Sequence, residues 1–177
     1  CRRIIFAVLL IAGVTASGDR IKDPDGSPAD RLREKARGGD PESQFLLGNE
    51  YFYGDAGRVR NFTIAAYWYQ MAAAQGHPRA VFNMAICYER GAGVRQSLHK
   101  AFMYYKEAAE KGVPGARFNM ALTYLTGIPA ETHGDERFPP VMPDRARAEA
   151  LLEELIGQNY VPARRALAGL YLDQPVA

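Results

Sequence analysis

Histidine and cysteine, the side chains most suited to acid–base and nucleophilic chemistry near neutral pH, are few in this chain and widely separated. The three histidines are His77, His99 and His133, and the two cysteines are Cys1 and Cys87. Catalysis needs a nucleophile, a base and an orienting group brought together, and the sequence shows no such set, no phosphate-binding loop and no cysteine cluster. His77 falls at a turn and His99 in the first turn of a helix, so we expect both to be solvated. We predict a protein that is not an enzyme and needs no cofactor.

The segment around His133 is the only candidate metal site in the sequence. Its acidic neighbours are Glu131, Asp135 and Glu136. One imidazole among carboxylates does not match the ligand spacing of known zinc sites, so we predict no metal. Cys87 falls inside an apolar helical pattern, which favours a buried small side chain over a reactive thiol.

The composition is that of a folded domain without a strong charge bias. The chain has 177 residues, of which 47% are hydrophobic and 24% charged, enough for one core. Residues 1–17 hold 2 of the 22 basic residues, which leaves 20 basic against 20 acidic residues in the remainder. A nearly neutral surface gives no reason to expect nucleic acid or an anionic membrane as partner.

Residues 1–17 are predicted to be a signal peptide. Two arginines precede an apolar run at residues 4–14, and small residues follow, the arrangement of a secretory signal. The run is too short to span a bilayer. We expect cleavage after Ala16 or Ser17, a flexible linker at 18–26, and a periplasmic or secreted protein without an integral membrane segment. Twin-arginine export and a buried first helix are the alternatives.

Two interleaved apolar patterns recur along the chain. Phe82-Asn83-Met84-Ala85 recurs 36 residues later as Phe118-Asn119-Met120-Ala121. Equivalent slots hold the small residues Gly48, Ala85, Ala121 and Ala168, and the tyrosines Tyr51, Tyr88, Tyr124 and Tyr171. The second pattern relates residues 65–76 to 101–112 and, more weakly, to 148–155. Apolar positions three and four apart predict an amphipathic helix for each pattern. We expect the small residues to let paired helices approach closely.

Turn residues recur with the same period. We expect a left-handed residue just after a helix at Gly39, Gly76 and Gly112. Prolines suited to the first turn of the next helix follow at Pro41, Pro78 and Pro114. The predicted N-caps are Asn61, Ser97 and Asp144. One helix pair cannot bury its own apolar face, so neighbouring pairs stack. We predict an all-α, right-handed superhelical solenoid of stacked antiparallel helix pairs over residues 27–173. It has about three full repeats plus flanking half-repeats, followed by a tail at 174–177.

These patterns resemble the Sel-one-like repeat, a relative of the tetratricopeptide repeat. The first-helix signature is Leu47-Gly48 with Tyr51 and Gly54, and the second is Trp68-Tyr69 with Ala72-Ala73 and Gly76. The third repeat departs from the family pattern at Leu151-Leu152, which replaces the aromatic pair, and at Asn159, which replaces a glycine. The resemblance implies a superhelical adaptor for protein–protein contact and not a catalytic fold.

In related two-helix solenoids, the first helices line a concave groove that holds the ligand. The matching positions are Phe45, Asn49, Phe52 and Tyr53, then Phe82, Ile86, Glu89 and Arg90, then Phe118, Leu122, Leu125 and Thr126. The three recurring phenylalanines either form ligand pockets or pack between repeats. The slots that differ between repeats are better candidates for specificity, namely Asn49/Ile86/Leu122 and Tyr53/Arg90/Thr126.

An insertion at residues 128–143 replaces a tight turn of the third repeat. It is proline-rich, and Phe138 precedes Pro139-Pro140. Long loops on rigid scaffolds often carry binding residues, so Phe138 is a candidate exposed contact. The alternative is a tolerated surface loop.

Together these features predict an exported, non-catalytic adaptor that holds a protein or peptide on its concave face. The alternative is a cell-envelope hydrolase or antibiotic-binding protein of the secreted Sel-one-like type. Relatives of that type carry cysteine pairs that bridge their helix pairs, and this sequence lacks them.

Overall fold

The computed structural model describes residues 27–54, 59–133 and 136–172. They form eight helices: α1 (Pro28–Arg37), α2 (Pro41–Tyr53), α3 (Phe62–Ala74), α4 (Pro78–Arg90), α5 (Leu98–Glu110), α6 (Pro114–Thr126), α7 (Arg145–Gly157) and α8 (Val161–Leu172). Strands β1 (Glu131–His133) and β2 (Glu136–Phe138) lie between α6 and α7. The predicted signal peptide, linker and tail fall outside the described residues. Within the described ranges, no helix combines the length and apolarity that a bilayer crossing requires.

The helix ends form where the turn residues predict them. The side chains of the three predicted N-caps accept hydrogen bonds from the backbone N–H three residues on, at 3.0 Å for Asn61, 3.2 Å for Ser97 and 2.9 Å for Asp144. Gly76 and Gly112 adopt φ of 79° and 83°, the left-handed conformation that ends a helix. Asn159 occupies the equivalent position with φ of 59°. The asparagine therefore replaces the family's glycine without changing the turn.

Successive helices pack as antiparallel neighbours, and this confirms the predicted helical solenoid of stacked pairs. The most extensive contacts join α2 to α3, α4 to α5 and α6 to α7, and each pair also packs against the next. The core is divided into three apolar clusters along the stack, which include Tyr69, Tyr105 and Leu152 respectively. Each cluster combines residues of one pair with residues of a neighbouring helix, so the core is continuous between repeats.

The two helices of a pair approach closely because the first helix carries a small residue at the contact. A Cβ atom added to Gly48 of α2 would lie 2.6 Å from the ring of Tyr69 in α3. In the next two pairs, Ala85 shares a cluster with Tyr105, and Ala121 shares one with Leu152. The side chains of Tyr69, Ala85, Tyr105, Ala121 and Leu152 are all buried. The predicted role of the small residue is confirmed at Gly48, and Ala85 and Ala121 are buried in the equivalent slots.

The fourth copy of the pattern differs from the expectation. Ala168 of α8 is exposed, and Tyr171 is 52% exposed. Helix α8 packs on α7 through Ala163 and Leu167, but no second helix follows it in the described part of the chain. The close approach expected at Ala168 is therefore not seen in the described part of the chain, where no helix packs on that side of α8.

The insertion contains a short antiparallel hairpin, which the sequence did not predict. Residue Glu131 pairs with Phe138 in its register, and Ile128 forms a further bridge to Val141. His99 of α5 is buried, and its ring lies between the two arms of the insertion. The ring's Nδ1 is 3.0 Å from the Glu131 carboxylate and its Nε2 is 2.7 Å from the Pro139 carbonyl oxygen. These hydrogen bonds hold the insertion against α5.

Three predictions about polar and aromatic exposure are corrected by these contacts. His99 is buried, not solvated. Phe138 is half-buried and its ring stacks on His99 at 5.4 Å between centroids, so it is not a freely projecting contact. His77 caps α4 by accepting from the Ala80 N–H, lies 2.9 Å from Glu42, and its side chain is 10% exposed. Each residue finds a partner that is distant in sequence.

Cys87 is fully buried, as predicted. Burial raises the pKa of its thiol to about 11, because the apolar surroundings disfavour the thiolate. The residue therefore packs as a small apolar side chain and is a poor nucleophile at neutral pH.

Alanine substitution at Gly48 tests the close approach between α2 and α3. Gly48→Ala and Gly157→Ala both raise helix propensity, but nothing lies within 4 Å of a Cβ at Gly157. We expect Gly48→Ala to be less stable than Gly157→Ala by about 1–3 kcal/mol, because the added methyl group meets the Tyr69 ring. Urea unfolding followed by circular dichroism measures the difference. Equal unfolding midpoints would contradict the proposed steric constraint.

Substitution of His99 tests the docking of the insertion. His99→Ala removes two hydrogen bonds and the ring stack on Phe138, so we expect a loss of about 1–3 kcal/mol. Hydrogen exchange should accelerate in β1 and β2 and stay unchanged in α2. The control is Lys100→Met, which removes an exposed ion pair to Glu136 with a 2.7 Å separation and should cost at most about 1 kcal/mol. If both variants behave alike, His99 does not hold the insertion in place.

Candidate protein-interaction surface

The predicted binding residues lie on the first helices α2, α4 and α6, and they differ in exposure. Tyr53 is 59% exposed and Leu122 is 38% exposed. Glu89, Arg90 and Thr126 are also exposed. We call these five residues the first-helix surface. The predicted residues that are half-buried are Asn49, Phe52, Phe82, Ile86 and Phe118.

Phe45 is corrected from a ligand-contacting residue to a core residue. It is only 6% exposed. Its ring stacks on His77 at 4.8 Å between centroids, and the Arg79 guanidinium carbon lies 4.7 Å from the ring centroid. Because His77 caps α4 and Arg79 lies in α4, the first helix of the next repeat, Phe45 connects two repeats.

Phe82 and Phe118 also pack on aromatic rings, Phe82 on the second helix of its own pair and Phe118 on the residue that precedes α8. The Phe82 ring lies 5.7 Å from that of Tyr105, and the Phe118 ring lies 5.7 Å from that of Tyr160. These distances fall within the range of packed aromatic pairs. The recurrence of phenylalanine in this slot is thus explained by packing.

Asn49 is engaged within the protein. Its side-chain oxygen accepts from the Tyr69 hydroxyl at 2.8 Å and from the Asn83 amide at 3.2 Å. Burial of Tyr69 raises its pKa above the ordinary value, so the hydroxyl remains a donor at physiological pH. The hydrogen bonds join α2, α3 and α4. Asn49 therefore helps to fix the positions of these helices relative to one another.

A recess of about 180 Å³ opens between α4, α5 and α6. It brings together three predicted residues, Glu89, Leu122 and Thr126, with residues that were not predicted. The other lining residues are Leu98, Ala101, Phe102, Tyr105, Asn119, Thr123, Gly127 and Ile128.

Two residues that line the recess are smaller than their equivalents in the preceding repeat. In that repeat Phe52 and Phe62 lie with ring centroids 5.1 Å apart, and Phe52 also packs 6.1 Å from Tyr69. The equivalent positions are Glu89, 37 residues after Phe52, and Leu98, 36 residues after Phe62. Two aromatic rings are thus replaced by smaller side chains. A slot-by-slot comparison of the repeats could have found Leu98, because the difference is visible in the sequence.

Glu89 and Tyr105 form the polar centre of the recess. The buried Tyr105 hydroxyl donates to the Glu89 carboxylate at 2.7 Å. Burial is the main cause that raises the pKa of Tyr105, and the hydrogen bond to Glu89 and its negative charge raise it further. The hydroxyl therefore stays protonated and orients the carboxylate. This arrangement places a fixed negative charge at an accessible surface.

A second, wider cavity of about 860 Å³ lies between the outer face of α5 and the insertion. Phe138 lines it, together with Tyr88, Tyr104 and Met103. Tyr88 and Tyr104 stack with ring centroids 5.4 Å apart. The hydrogen bond to Glu136 raises the pKa of Lys100, another lining residue. The structure thus separates Phe138 from the other predicted binding residues, because it lies against the second helix of the pair.

Comparisons with known proteins agree with this architecture. The Sel1 repeat model matches residues 41–77 and 78–113. A Sel1 repeat protein from Oxalobacter formigenes is 30% identical, with a TM-score of 0.62 over 78% of this chain and 96% of that one. A protective antigen of uropathogenic Escherichia coli strains that displays an SLR fold is 27% identical, with a TM-score of 0.70 over 84% of this chain and 29% of that one.

A curated relative is much longer than the matched region. Protein SHC1 of Saccharomyces cerevisiae is 37% identical over 70 residues, which are 40% of this chain and 14% of that protein. Sel1 repeats mediate protein interactions, and Sel1 repeat proteins are generally non-catalytic scaffolds. Two repeats match the family model, and a Sel1 repeat protein shares the fold over nearly its whole length. This chain therefore belongs to the Sel1 repeat family.

Proposed function

We propose that this protein is a non-catalytic adaptor that binds a protein or peptide partner on the first-helix surface. The observation that carries the proposal is the exposure of one slot in three successive repeats, occupied by Tyr53, Arg90 and Thr126. These residues differ in chemistry although the repeats around them are alike. A side chain that the packing of the core does not require can differ between repeats, and it can therefore determine which partner is bound.

The contacts of the neighbouring slots support this division of roles. Phe45, Phe82 and Phe118 pack against aromatic rings of the solenoid, whereas no hydrogen bond or ion pair of the Arg90 side chain is found among the described residues. In stacked repeats, equivalent positions of successive first helices lie side by side. A row consisting of a tyrosine, an arginine and a threonine suits a polar and aromatic protein interface.

The alternative of a cell-envelope hydrolase or antibiotic-binding protein has weaker support. His77 and His99 make hydrogen bonds that hold the fold together. The raised pKa of Cys87 disfavours a thiolate nucleophile. We find no geometry in the described residues that favours catalysis over binding.

Site-specific photocrosslinking tests the location of the interface. A benzophenone amino acid at Tyr53 should give a discrete adduct in the native cell, and the same group at Met103 should not. Met103 is the matched control because it is 61% exposed and lies on α5. Combining Tyr53→Ala with Arg90→Glu should weaken binding about tenfold or more without moving the urea midpoint. An adduct from Met103 alone, or unchanged affinity, would contradict the proposed surface.

We also propose that the protein is exported to the periplasm or secreted, on the basis of the basic and apolar segments within residues 1–17. Mass spectrometry of the protein from fractionated cells tests this. We expect a mature chain beginning at Ser17 or Gly18 in the envelope or medium. A chain retaining residues 1–17 and confined to the cytoplasm would refute export.

A further inference from the structure

We propose that the recess between α4, α5 and α6 accepts the cationic end of a lysine or arginine side chain from the partner. This inference rests on the proposed adaptor function and names the chemistry that its surface recognises. It is carried by the size of the recess, its single charge and its apolar walls.

The size of the recess suits one side chain. Its volume of about 180 Å³ lies below the range of roughly 300–1,000 Å³ typical of small-molecule pockets. In the preceding repeat, the equivalent positions hold Phe52 and Phe62, whose rings pack against each other. The replacement of these rings leaves room that a partner's side chain can fill.

The charge of the recess selects a cation. Glu89 is the one charged residue among the described residues that line it. Its carboxylate accepts from Tyr105, and in the described parts of the chain we find no ion pair to it. An ionised carboxylate has about four acceptor positions, so capacity remains after the Tyr105 bond. An apolar or acidic side chain would cover this charge without a donor, and a neutral polar side chain could donate a hydrogen bond but would not neutralise the charge.

The walls of the recess suit the long stem of a basic side chain. Leu98 and Leu122 are 40% and 38% exposed, respectively, and both line the recess. Lysine and arginine pack their methylene groups along apolar surface while the charged end reaches polar groups. Asn119 and Thr126 supply further polar side chains in the lining. The stem and the charged end of such a side chain would therefore both find complementary contacts.

Capped amino acids test this proposal without knowledge of the partner. The probes are the N-acetyl, N-methylamide derivatives of lysine, arginine and norleucine, titrated into ¹⁵N-labelled protein by NMR. We expect lysine and arginine to shift the amides of Glu89, Leu122 and Thr126 in the millimolar range usual for fragments of this size. Norleucine should bind about tenfold more weakly, because it lacks the charge-assisted hydrogen bond. Added salt should weaken only the cationic probes.

Two variants separate the charge from the shape of the recess. Glu89→Gln keeps an acceptor for Tyr105 and should reduce the affinity for lysine and arginine to that for norleucine. Leu98→Phe restores the aromatic ring of the preceding repeat and should block all three probes. Glu153→Gln is the control, since Glu153 is an exposed carboxylate on α7 outside the recess. Urea midpoints verify that each variant is folded.

The outcomes distinguish this inference from the adaptor proposal. Equal binding of norleucine and lysine, no shifts at the recess, or full lysine binding by Glu89→Gln would each overturn the cation site. A Tyr53 photoadduct obtained alongside any of these results would leave the adaptor function standing. Loss of the photoadduct with retained lysine preference would overturn the adaptor surface alone.

Discussion

The structure depends on the close contact between the two helices of each repeat. Tyr69 packs where a side chain at position 48 would lie, and alanines at 85 and 121 occupy the equivalent contacts. A larger residue at any of these positions would separate the pair and expose the apolar cluster that joins it to its neighbour. Because each repeat contacts only the adjacent ones, this local constraint is sufficient to propagate the solenoid.

The same constraint determines where sequence variation can occur. Phe45 and its equivalents pack on aromatic rings within or between repeats, so they recur. Tyr53, Arg90 and Thr126 lie outside those contacts and differ. Between these extremes is the slot of Phe52 and Glu89, which packs aromatic rings in one repeat and presents a carboxylate in the next. The recess between α4, α5 and α6 therefore carries a negative charge that the equivalent position of the preceding repeat lacks.

Local signals were enough to predict the helices, whereas contacts across long sequence separations were not predictable. Asn61, Ser97 and Asp144 act through residues three positions away, so their capping role can be read from the sequence. His99 meets Glu131 and Pro139, 32 and 40 residues later, and nothing local indicates that the insertion folds back on α5. The repeat pattern also places Ala168 in the slot of Ala85 and Ala121, yet Ala168 is exposed in the described part of the chain, because the pattern records the type of side chain and not its neighbours.

Hydrogen exchange of the native protein tests the central claim most directly, because it measures the stability of each segment separately. The account predicts the slowest exchange in the helical turns around Gly48, Ala85 and Ala121 and in the turns of α3, α5 and α7 that pack on them. The last turns of α2, α4 and α6, which carry Tyr53, Arg90 and Thr126, should exchange faster. Slowest exchange in those last turns, with faster exchange at the helix-pair contacts, would contradict the account.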